Sequence, residues 1–99
     1  MPGIEIGMLL WGDWNQVYCT KHGISISEIE ALLTGSVFGQ ETYKGRYQVL
    51  RTNEQGRMLS FVVGAVPGQH GTWYVFGARP ASRRERKRYG APQVESNEK

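Results

Sequence analysis

Lys21 and His22, together with the arginines that begin at Arg79, are the residues of this 99-residue chain with the most chemistry to offer. Metal-free cleavage of RNA needs a base for the 2′-hydroxyl, an acid for the leaving 5′-oxygen and cations for the charged transition state. His22 suits proton transfer, because it sits beside Lys21 at the end of a predicted helix. Its competing role is to cap that helix C-terminus, where cationic side chains are favoured. His70 falls in a Gly/Pro turn and reads as exposed and inert. Arg79 and Arg83 suit phosphate contact, since a guanidinium matches phosphate oxygens bidentately. The rival role for both is a salt bridge to an acid of the first helices or of a partner. A set of Lys21, His22, Arg79 and Arg83 would make a site with no metal and no cofactor.

Other residues have a structural and a chemical reading side by side. Glu85 is a possible base, but Ser82 and Glu85 form an S-x-x-E capping box that already accounts for it. Tyr89 is a possible proton donor near phosphate, against packing on a sheet. Trp11, Trp14 and Trp73 could stack on bases, although tryptophans in a small domain are more often core. Cys19 has no catalytic neighbour in the sequence and reads as a small buried residue. No clustered Asp or Glu of the two-metal nuclease kind is present.

The net charge of +3 conceals an asymmetry. Residues 1–43 carry one Lys and five acids, whereas residues 44–88 carry ten Lys or Arg and two acids. Six cations fall between Arg79 and Arg88. Such a concentration attracts polyanions, nucleic-acid phosphate first among them, and otherwise serves as a solvated helix face. Arg46, Arg84, Arg86, Lys87 and Arg88 are therefore the expected RNA-binding side chains. No apolar run approaches the ~18–20 residues of a membrane helix. The first ten residues lack the basic start of a secretory signal. One cysteine excludes an internal disulfide and a Cys-based zinc site. A soluble cytoplasmic protein is expected.

The elements that must position these groups follow from capping and period. Asp13, with Gln16 three residues on, starts a first helix whose stripe is Trp14, Val17 and Tyr18, and Gly23 closes it. Ser25 and Glu28 start a second, with Ile26, Ile29, Leu32 and Leu33 on one face and Gly35 at its end. From residue 36 the period changes to two. Strands are predicted over 46–51, 57–66 and 72–77, with a weaker fourth at 36–39 and turns at 52–56 and 67–71. Short connections make neighbouring strands antiparallel. On this parity Arg79 shares a face with Trp73 and Val75. A last helix starts at Ser82, where five cations cover an arc of about 200° and leave almost no apolar stripe. The expected fold is α+β: two N-terminal helices, a three- to four-stranded antiparallel sheet and a C-terminal basic helix. Residues 1–90 form the domain, and 91–99 a flexible polar tail.

The strings Trp11-Gly12-Asp13-Trp14-Asn15, Lys21-His22-Gly23-Ile24-Ser25 and Ala78-Arg79-Pro80-Ala81-Ser82-Arg83-Arg84-Glu85-Arg86-Lys87-Arg88-Tyr89 resemble the BrnT family, toxins of bacterial type II toxin–antitoxin modules. The resemblance spans about residues 10–90 and is most specific in the C-terminal string. The first helix departs from the family in lacking its Lys- and Ala-rich character, and the residues before Leu9 form an unusual extension. The resemblance implies a RelE-like fold and a ribonuclease that halts translation. It also implies a BrnA-like antitoxin with a ribbon-helix-helix domain, through which alone DNA is contacted. The alternative is an inactive module that binds RNA or docks the antitoxin.

Overall fold

Gly3-Ile4-Glu5-Ile6 alternates exposed and buried side chains, and this period of two opens the chain as a strand. The computed structural model describes residues 3–88. In order these are β1 (Gly3–Ile6), β2 (Met8–Leu10), α1 (Asp13–Thr20), α2 (Ile26–Leu33), β3 (Gly35–Phe38), β4 (Gln40–Tyr43), β5 (Arg46–Thr52), β6 (Met58–Ala65) and β7 (Thr72–Pro80). A basic helix, α3, follows over residues 83–88. Tyr89 and the tail expected over 91–99 lie outside the described residues.

This order corrects the expected fold. Strands, not helices, come first, so the RelE-like order of two leading helices, antiparallel sheet and basic helix does not hold. The main sheet is mixed and five-stranded, ordered β2-β7-β6-β5-β4. Its edge strand β2 runs parallel to β7, which is open to it because the intervening elements supply the long crossover that a parallel pair requires. β3, expected as a fourth strand of that sheet, instead pairs antiparallel with β1 in a separate two-stranded ribbon. β4 was not expected as a strand.

β5, β6 and β7 pair antiparallel in the expected order, and their register assigns each residue to a face. Val49, Phe61 and Val63 lie on the inner face with Val75 and Ala78, all buried. Ile29 and Leu33 of α2 join them in one apolar core, along with Ile4, Ile6 and Val37 of the ribbon. The Ser25 hydroxyl accepts the Glu28 N–H at 3.1 Å, as the box predicts, and fixes where α2 begins. Among the described residues no helix is long and apolar enough to cross a membrane.

The helix α1 is turned the other way from its apolar stripe. Trp14, Val17 and Tyr18 are 48%, 66% and 56% exposed, while Asn15 and Cys19 are buried. The cause is backbone satisfaction at the sheet edge. β2 pairs with β7 only as far as Tyr74, which leaves the next carbonyl, that of Val75, without a strand partner. Asn15 Nδ2 donates to that carbonyl and to the Leu10 carbonyl, both at 3.0 Å. Asn15 Oδ1 in turn accepts the Gly12 N–H at 2.7 Å. The helix therefore starts from a Gly12–Asn15 pair rather than the Asp13–Gln16 pair expected. Asn15 and Cys19, whose thiol also reaches the Val75 carbonyl at 3.6 Å, make the inward face of α1 the one that satisfies the sheet edge.

Candidate functional site

A β-bulge in β7 creates the outer-face geometry. Val62 pairs with Gly77 but Val63 pairs with Val75, which leaves Phe76 as the extra residue. One added residue inverts the parity that follows it. Arg79 thus lies opposite Ser60 on the outer face, not on the face of Trp73 and Val75 as simple alternation predicts.

On that face Arg79 is held by a fork. Its Nη1 and Nη2 donate to the two Glu85 carboxylate oxygens at 2.9 and 2.8 Å. Glu85 comes from α3, where its N–H donates to the Ser82 hydroxyl at 3.1 Å and its Oε1 accepts the Ser82 N–H at 2.9 Å. The capping box expected from the sequence is therefore present. Gln48 Nε2 donates to Glu85 Oε2 at 2.7 Å and to the Ser60 hydroxyl at 2.9 Å, tying α3 to β5 and β6. The guanidinium of Arg79, helped by the Ser82 N–H and Gln48 and opposed by burial, holds the Glu85 carboxyl at about 2. A carboxylate that acidic is a poor proton acceptor at neutral pH, which argues against Glu85 as the general base.

Lys21 and His22 follow α1 in a turn closed by Gly23, whose φ of 82° is in the left-handed region and whose N–H donates to the Thr20 carbonyl at 3.0 Å. Both side chains are exposed, and Lys21 Nζ lies 5.3 Å from the centre of the Tyr18 ring. A cleft of about 200 Å³ is lined by Tyr18, Lys21 and His22 from this corner and by Ser60, Phe76 and Arg79 from the sheet. Three of the four residues expected to act together thus share one cleft.

Arg83 is the fourth, and it lies elsewhere. It lines a groove on α3 with Arg84, Lys87 and Arg88, all exposed. Arg86 Nη1 instead donates to the Ala81 carbonyl at 3.0 Å, closing the start of its own helix. Arg46 lays its guanidinium 4.0 Å from the centre of the Phe76 ring. Ser60, Gln48 and Tyr18 were not anticipated. The signal for Ser60 was a polar residue in an otherwise apolar strand.

The remaining candidates divide between core and surface. Trp73 donates its indole N–H to the Glu5 carbonyl at 3.1 Å and packs against the core. Trp11 also packs there, with its N–H on Glu30 at 3.0 Å. Trp14 is the surface tryptophan. Burial pushes the Cys19 thiol up to about 11, so it is no nucleophile at neutral pH. His70 lines a cleft of about 850 Å³ between β1 and the 66–71 turn, to which no Lys or Arg among the described residues contributes. Among the described residues no three His, Cys, Asp or Glu side chains gather as metal ligands would. Comparison of the chain with protein-family models, curated proteins and solved structures finds no match.

Proposed function

We propose that this protein is a metal-independent endoribonuclease, the toxin of a type II toxin–antitoxin module that halts translation. The observation that carries the reading is the convergence of Lys21, His22 and Arg79 on one cleft. In this mechanism His22 takes the proton of a 2′-hydroxyl. The freed oxygen attacks phosphorus, and the bond to the 5′-oxygen breaks. Lys21 returns a proton to that leaving oxygen. Lys21 and Arg79 also offset the charge that grows on the phosphate oxygens. The products are a 2′,3′-cyclic phosphate and a 5′-hydroxyl. The cations of α3 then hold the flanking backbone. The strings Lys21–Ser25 and Ala78–Tyr89, which resemble those of BrnT toxins, point to the same reading. A BrnA-like antitoxin with a ribbon-helix-helix domain is its proposed partner, and the cytoplasm its proposed compartment.

A second reading is favoured by the Arg79–Glu85 fork, which already occupies the guanidinium. On that reading the basic surface binds RNA or docks the antitoxin and cleaves nothing. One assay separates the two. Purified, partner-free protein incubated with single-stranded RNA should give cyclic-phosphate ends, and His22→Ala should slow their appearance by roughly 10²–10⁴-fold. RNA that is bound but left intact would establish the binding module instead.

A further inference from the structure

Phe76, the bulge residue, belongs to an aromatic cluster that the proposed cleavage chemistry does not use. Its ring centre lies 5.7 Å from that of Tyr74 and 5.9 Å from that of Trp14, and Trp14 lies 6.0 Å from Tyr74. The ring rests over Gly64, where a Cβ would come within 2.7 Å of Phe76 Cε2. Any larger residue at 64 would lift the ring off the sheet. Arg46, paired with Gly64 across β5 and β6, covers the same ring with its guanidinium. Trp14 and Arg46 are exposed, so the cluster meets solvent through an indole and a guanidinium. Phe76 also lines the cleft of Lys21, His22 and Arg79, which makes the cluster and the cleft neighbours.

Flat π-surfaces and guanidinium planes are what unpaired nucleobases stack on, and adjacent cations attract the backbone that carries those bases. We propose that Trp14 and Arg46, backed by Tyr74 and Phe76, form a stacking platform for the nucleotide beside the scissile phosphate, so that the substrate is single-stranded RNA. This rests on the reading of the cleft as a phosphate site and adds to it the kind of strand it accepts. Duplex RNA is rejected because its bases are already stacked. Sequence preference at the platform is weak, because every base offers a π-face.

The test is equilibrium binding of the full chain to three 2′-O-methylated oligonucleotides, which lack the attacking hydroxyl: a single strand, the same strand with abasic positions, and a duplex. The base-bearing single strand should bind on the order of tenfold more tightly than the abasic strand. Trp14→Ala and Arg46→Gln should each erase most of that difference, while Trp14→Phe, which keeps an aromatic ring, should retain it. Circular dichroism should show the fold intact in all three variants. Equal, salt-sensitive binding of base-bearing and abasic strands would overturn the platform and leave the phosphate reading standing. A preference untouched by any of the variants would also overturn it, as would duplex binding as tight as single-strand binding. No binding of any oligonucleotide would overturn the platform and the phosphate reading together.

Discussion

On β6, Leu59, Phe61 and Val63 are sealed against α2 and the β1–β3 ribbon, while Ser60, Val62 and Gly64, one residue over, face the outer side. The same strand therefore answers to two kinds of selection. On the inner face what counts is volume, because close-packed apolar side chains have no spare space to absorb a change. On the outer face what counts is pairing. Ser60, Gln48, Glu85 and Arg79 form one hydrogen-bonded chain, and Gly64 is small so that the Phe76 ring can lie over it. Apolar burial is concentrated on one side of the sheet and the hydrogen-bonded polar network on the other.

The sharpest way to break this contrast is to truncate neighbouring residues of β6. Phe61→Ala should cost about 3–5 kcal/mol, the usual range for emptying a buried aromatic site. Val62→Ala, on the partly exposed outer side, should cost about 1 kcal/mol or less. Urea unfolding of the two variants measures both losses. Comparable losses would mean that the outer face is as tightly packed as the inner one.

A smaller effect sharpens the outer side. The folded Glu85 carboxyl, held at about 2 chiefly by Arg79, lies below its ordinary 4.5. A depressed carboxyl stabilises the fold at pH values above 4.5, and that contribution is lost as pH falls from 4.5 towards 2. Glu85→Gln should therefore cost about 1 kcal/mol at neutral pH, a figure discounted because Arg79 is half exposed. It should also flatten the stability profile across that acidic window, which melting temperatures at stepped pH would reveal. The inner face carries no such group, so Phe61→Ala should leave the profile's shape unchanged.

The two faces were also unequally legible. Alternation over residues 46–51 and 57–66 identified β5 and β6, and the boxes at Ser25 and Ser82 located the starts of α2 and α3, because capping and period are local properties. The alternation of Ile4 and Ile6 is equally local, but at four residues it is a short signal, and the expected fold lacks β1. Three features depended on distant backbone. The Val75 carbonyl turns α1 against its own apolar stripe. The bulge at Phe76 reverses the face of Arg79. The parallel pairing of β2 joins segments about sixty residues apart. Lys21, His22 and Arg79 are legible from residue type, the predicted helix end and the BrnT-like strings, but their shared cleft depends on that bulge, and Arg83 does not line it.

The smallest stability change should come from α3, where the face-to-face contrast becomes one between side chains that hold the protein together and side chains proposed to hold RNA. Arg84 and Lys87 line the basic groove and are exposed, so Arg84→Ala and Lys87→Ala should leave unfolding free energies within about 0.5 kcal/mol of the parent. Each should nonetheless weaken RNA binding at low salt and lower the slope of log affinity against log salt by about 0.7, the share of one released counterion on a single strand. Arg86→Ala should behave in the opposite sense, losing the bond to the Ala81 carbonyl and thus stability, with little change in the salt slope. Salt titrations of the three variants separate ligand-holding cations from fold-holding ones. A common slope for all three would mean that α3 meets its polyanion as a diffuse charge rather than through particular side chains.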